Sequence, residues 1–187
     1  MEQLEFSGEH FQEEKDWLVL FEEKPGLLID YLDKNYRDCL FEELPALVKE
    51  IKSVTEDRNF YYPHLSEVLV HLNLLNTSFF RHNLIEEVVF FAYLTQTKKK
   101  RRKYALLDRD TLKELISLLE YEHTLIKEGF YKIRALCKDY HISLADGVLP
   151  ALYAQLERCE QLTFRQIFLE SNILFDKIIL REPVKGS

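Results

Sequence analysis

Apolar residues in this chain recur three and four positions apart over four long stretches, and that spacing leaves few folds open. The first stretch runs from about 27 to 54 on Leu28, Ile29, Leu32, Tyr36, Cys39, Leu40, Leu44, Val48 and Ile51. Pro45 lies inside it and is predicted to kink the helix. Thr55 to Tyr62 form a turn, and Pro63 suits the first turn of a second helix. That helix extends to about Thr95 on Leu65, Val68, Leu72, Leu75, Phe79, His82, Glu86 and Val89. A third begins near Thr111, where Thr111 and Glu114 have the spacing of a capping box. Its stripe is Leu115, Leu119, His123, Ile126, Phe130 and Ile133. The fourth follows Ser143 to Gly147 and reaches about 180, with Leu152, Leu156, Leu162, Ile167, Glu170, Ile173 and Leu174. The last three are each about 30 residues, or roughly 45 Å long. Four such helices joined by short connections predict an all-α, antiparallel up-down-up-down four-helix bundle.

The 187 residues suffice for one compact domain. The expected organisation is an N-terminal arm over 1–25, the bundle over 26–182 and a tail over 183–187. The arm carries Phe6, Phe11, Trp17, Leu18 and Phe21 for packing on the bundle, and Lys24-Pro25-Gly26 marks the break. Glycine and proline number five each, too few for a turn-rich β-sandwich. The net charge of −7 argues against a nucleic-acid surface. No apolar run nears the roughly 18 residues of a membrane span. The acidic start, MEQLEFSGEHFQEEKDW, lacks the basic and apolar regions of a secretion signal, so a cytoplasmic location is expected. Cys39, Cys137 and Cys159 include no CxxC pair and fit a reducing compartment as plain thiols.

The densest charge cluster is Lys98, Lys99, Lys100, Arg101, Arg102 and Lys103, in the polar loop between the second and third helices. Such a run contacts phosphate or an acidic partner, or is a solvated loop that keeps two helix ends in water.

An internal echo carries more information. Residues 80–91 read FRHNLIEEVVFF and residues 164–175 read FRQIFLESNILF. Phe80 aligns with Phe164, Arg81 with Arg165, His82 with Gln166, Glu86 with Glu170 and Phe91 with Phe175. Each copy offers a polar group and, four residues on, a glutamate; positions i and i+4 share one helical face. Both glutamates lie on the apolar stripe, and neither has a lysine or arginine within helical reach. A buried carboxylate needs a charge partner, strong hydrogen bonds or a proton, and a metal ion is one source of positive charge. His123 projects from the third stripe, where a neighbouring helix could bring it close to His82. Imidazole and carboxylate together suit iron, manganese or zinc.

His82-x-x-x-Glu86-Glu87 before Val-Val-Phe-Phe, then His123, then Glu170 before Asn-Ile-Leu-Phe, resembles the hemerythrin-like (HHE) domain over about 27–180. The nearest branch is the repair-of-iron-centres family, also called regulators of cell morphogenesis and NO signalling. Leu27-Leu-Ile-Asp-Tyr-Leu and Glu43-Leu44-Pro45 are similar to its first helix. The resemblance implies a four-helix bundle around a non-haem di-iron centre, with histidines from each helix, two bridging glutamates and a link to nitric oxide, oxygen or iron–sulfur repair. His82, Glu86, His123 and Glu170 match the family's ligands. The first-helix ligand histidine falls at Tyr36, the fourth-helix one at Gln166, and a further one near Thr55. One of two iron sites is therefore expected to be lost. The other is expected to be a mononuclear iron site of His82, His123, Glu86 and Glu170, with Tyr36 as a phenolate ligand or outer donor.

Those same six groups, Tyr36 and Gln166 included, hold enough donors and acceptors to satisfy one another without metal. Two function classes follow. One is a metal-binding stress protein whose ligand is nitric oxide or O2. The other is a metal-free interaction module. Catalysis is not indicated: there is no nucleophile–base pair, phosphate loop or HExxH. Among the remaining histidines, His71 is expected at the core or rim, and His64 and His141 at exposed positions; His10 lies in the arm.

Overall fold

The computed structural model describes residues 25–58, 60–97, 108–141 and 147–180. Residues 1–24 of the expected arm, the basic run 98–103 and the tail lie outside the described residues. All regular structure among them is helical. The first stretch comprises α1 (Pro25–Leu32), a π-helical turn (Asp33–Arg37) and α2 (Asp38–Arg58). Next come α3 (His64–Thr97) and α4 (Arg109–Leu136). The last comprises α5 (Leu149–Leu169), a second π turn (Glu170–Leu174) and α6 (Phe175–Leu180). No described helix is long and apolar enough to cross a membrane.

The apolar stripes do what their spacing predicts. Every apolar residue expected on the α3 stripe is buried, from Leu65 to Val89. The interior divides into two apolar clusters. One joins Leu40, Leu44, Leu47 and Ile51 of α2 to Leu65–Phe79 of α3, Ile126–Ile133 of α4 and Leu149–Leu156 of α5. The other joins Leu28, Leu32 and Tyr36 to Val89 and Phe90, Leu112–Leu119, and Leu169–Ile178. Between them lies a buried polar layer of His82, Asn83, Glu86, Glu122, His123, Gln166 and Glu170. Three helical stretches supply these residues, and the first adds the half-buried Arg37 beside Glu86.

The helix ends differ in detail from the sequence reading. α4 starts at Arg109 and is capped by Asp108, whose carboxylate accepts from the Thr111 amide at 2.8 Å and the Thr111 hydroxyl at 2.9 Å. Thr111 is thus the partner of the cap, because an aspartate three residues earlier reaches the same free N–H groups. Pro45 sits inside α2, and helix continues on both sides of it. The break in i→i+4 bonding falls earlier, at Asp33–Arg37, where the Asp38 amide bonds the Asp33 carbonyl. His64, expected at an exposed position, is half-buried and hydrogen-bonded to the Tyr153 hydroxyl at 2.8 Å. His141 is exposed and His71 half-buried. Cys137 and Cys159 are buried, and burial pushes the Cys137 thiol up to about 11.

α3 packs against α4 at a close approach made possible by Gly129. A Cβ built there would lie 2.7 Å from Cδ2 and 3.1 Å from Cγ of buried Leu75. Gly129→Val is therefore expected to destabilise the fold by about 1–3 kcal/mol, the cost of overpacking a tight interior. Chemical denaturation checks this, and an unchanged midpoint contradicts the close approach.

Candidate metal centre

The polar layer is assembled from the two regular helices and the two π turns. His82 and Glu86, one turn apart on α3, both face inward and are fully buried. His123 enters from α4. Glu170 opens the second π turn, and Arg37 closes the first. A π turn inserts a residue into the helical register and swings side chains out of the 3.6-residue pattern; such turns concentrate at functional sites.

His82, His123 and Glu170 converge. One donor atom from each lies within 4.8 Å of the other two, and all three side chains are buried. His123 Nε2 is 2.9 Å from Glu170 Oε2, and His82 Nε2 is 3.5 Å from the same oxygen. The imidazoles lie 4.8 Å apart, centroid to centroid, and His123 stacks on Phe175. Glu170 Oε1 accepts from Gln166 Nε2 at 2.7 Å. Burial alone would raise the Glu170 pKa, but hydrogen bonds to His123 and His82 outweigh it and hold the carboxyl far below the ordinary range.

Glu86 stands beside this trio. Its Oε2 is 3.9 Å from His82 Nε2 but only 2.8 Å from Arg37 Nη2, which donates to it. The other face of Arg37 meets Asp33 at 3.0 Å, and its guanidinium lies over the Phe90 ring. Glu86 is thus not stranded without a cation. No lysine or arginine is within reach along its own helix, but one arrives from the first π turn. Burial and the neighbouring Glu170 still push the Glu86 pKa well up, against the pull of Arg37. Arg37 is the participant the sequence reading missed. Nothing in the periodicity distinguishes it from Lys34 or Asp33 beside it, because the register changes within that turn.

The remaining expected residues divide. Gln166 holds the back of Glu170. Tyr36 is buried in the second apolar cluster with its ring edge-on to Tyr31. Glu122, next to His123, is buried and accepts from Arg81 at 2.7 Å. Lys98 to Lys103 lie outside the described residues.

Whether a metal ion fits can be tested on distances and on the atoms behind the ligands. Metal bonds of about 2.1 Å place tetrahedral donors roughly 3.4 Å apart, so the His82–Glu170 separation needs no change and the His123–Glu170 one opens by about half an ångström. A ligating imidazole donates its other N–H to a partner. His123 Nδ1 is 3.0 Å from Ser171 Oγ, and a hydroxyl can accept from it or donate to it, so either tautomer is satisfied. His82 Nδ1, Glu86 Oε1 and Gln166 Oε1 are buried with no hydrogen-bond partner among the described residues. Two nitrogens and one carboxylate oxygen converge closely enough that they could hold one ion, with the outer partner in place for His123 and, among the described residues, not for His82. No known protein-family model matches the chain.

Proposed function

We propose that this chain is a hemerythrin-like four-helix bundle that binds a single non-haem iron ion through His82, His123 and Glu170, in a cytoplasmic role tied to nitric oxide or oxygen stress. The observation that carries the reading is the convergence of three buried metal-binding side chains on one point. The alternation of the clusters supports the bundle. α1 and α2 pass from the second cluster to the first, α3 from the first to the second, and α4 and α5–α6 repeat the pattern.

The charges support one ion rather than two. Arg37 already neutralises Glu86, so it supplies at one carboxylate the positive charge that a second ion would bring. Glu170 is left facing two imidazoles. Two histidines and one carboxylate with open positions form a ligand set that suits ferrous iron. Such an ion would offer the positions that nitric oxide or O2 takes. His82 and His123 serve as terminal nitrogen ligands and Glu170 as the anionic one. Gln166 and Ser171 fix the orientations of Glu170 and His123.

The expected result is a new absorption band and electron paramagnetic resonance signal when nitric oxide is added anaerobically to ferrous-loaded protein. Both should vanish in His123→Ala. Identical spectra from the wild type and the variant would reject the site.

A second reading is favoured by the same Arg37–Glu86 pair and by the hydrogen bonds that already occupy Glu170: a metal-free bundle that acts as an interaction module. It predicts a melting temperature indifferent to both iron and chelator, because a ligand that binds only the folded state must raise stability.

A further inference from the structure

α3 carries an exposed apolar stripe that is its own complement, and it is independent of the metal reading. Over its 34 residues this helix has only four charged side chains, Glu67, Arg81, Glu86 and Glu87. A helix apolar on every side is normally buried on every side. Here one face is not: Val70 is 57% exposed, Leu74 60%, Leu84 51% and Val88 51%. With Thr77 and Arg81 these residues fall within about 40° of one line along the helix at 3.6 residues per turn. That line points directly away from the face carrying Leu72, Phe79 and Glu86, all buried.

The order of residues says what covers it. The apolar members of the stripe read alike from both ends about position 79, and the polar Thr77 and Arg81 lie between them. Val70 and Val88 lie equally far from it, as do Leu74 and Leu84, and Thr77 and Arg81. We infer that α3 pairs antiparallel with α3 of a second copy across a two-fold axis at residue 79. A two-fold contact sets each residue against its counterpart from the other end. Val70 then meets the second copy's Val88, and Leu74 meets its Leu84, each contact occurring twice. Phe80, 58% exposed and beside the axis, meets its own equivalent. The one charge on the stripe, Arg81, is offset from its equivalent by four residues along the helix. Each Arg81 is already neutralised by Glu122 of its own chain at 2.7 Å. At the edge, Glu87 comes near Asn73 of the other copy, an acceptor beside a donor. Val70 and Leu74 at one end, and Leu84 and Val88 at the other, are each four apart, the spacing a helix seam uses, and Thr77 and Arg81 fill the polar centre between them.

Sedimentation velocity on the full chain tests this, with circular dichroism to verify folding. The wild type is expected to sediment at twice the chain mass as concentration rises. Leu74→Lys alone and Leu84→Glu alone each bury a charge against leucine twice and are expected to sediment as monomers of unchanged helicity. The double variant, Leu74→Lys with Leu84→Glu, sets the introduced lysine of each copy against the introduced glutamate of the other and is expected to recover the dimer. A monomeric wild type at every concentration overturns the inference. So does a dimer indifferent to both single changes, or a double variant that stays monomeric.

Discussion

Arg37→Met is expected to destabilise the fold by about 3 kcal/mol, because breaking a buried ion pair from one side leaves the other charge without compensation. For a domain of this size that corresponds to a fall of roughly 6–12 °C in melting temperature. The value sits at the low end of the usual range for two reasons. The Arg37 side chain keeps 16% of its surface in water, and Glu86 can take up a proton. The second reason gives the loss a pH dependence. Burial and Glu170 already raise the Glu86 pKa, and Arg37 opposes them. Without Arg37 the pKa rises further. A carboxyl whose folded pKa exceeds its unfolded value adds stability below the unfolded value and loses it as pH rises through the folded one. The deficit of Arg37→Met should therefore be small in acid and widen as pH rises toward and past neutrality. Adding Glu86→Leu removes the orphaned charge and should restore most of the stability. Melting curves at several pH values check both points. A deficit constant with pH, or a double variant no better than the single, would show that the pair does not hold Glu86.

Glu170→Gln is expected to abolish tight metal binding while leaving the helices folded. It keeps the shape and one acceptor oxygen but removes the only anionic ligand of the trio. Losing a group that merely orients a ligand costs 10- to 100-fold in affinity, so losing the carboxylate should cost at least about 100-fold. Ser171→Ala supplies the comparison. It removes the hydroxyl beside His123 Nδ1, touches no donor atom, and should fall within that 10- to 100-fold range. Competition with a chromophoric chelator measures both. In a metal-free network the ordering disappears: neither substitution changes chelator competition, and Glu170→Gln acts only on stability, by unsettling the bonds from His123 and Gln166.

The long helices were legible because burial on one face imposes a period, and α4 shows it best, with Leu119, His123, Ile126, Phe130 and Ile133 all buried. His82 and Glu86 could be placed inside because they occupy positions where that period demands an apolar residue. Glu170 was legible for the same reason, helped by the echo with Glu86. Arg37 was not. Its inward path depends on one extra residue in the helical turn of Asp33–Arg37, and no spacing rule marks where a helix changes from i→i+4 to i→i+5 bonding. The inference that both glutamates needed an external cation failed for Glu86 on that account. Helix ends failed on a smaller scale: Asp108 and Thr111 both have capping side chains, and the order in which they act depends on the path of the chain into α4. His64 was misplaced because its partner, Tyr153, is a contact between helices far apart in sequence.

The central claim is that Glu170 is balanced by an ion shared with His82 and His123. The most direct test is the metal content of protein produced in iron-rich medium and passed through a desalting column, measured by elemental analysis against chain concentration. The account predicts close to one iron per chain for the wild type and almost none for the His82→Ala/His123→Ala double variant. Two ions per chain, none under any loading condition, or equal content in the variant would contradict it.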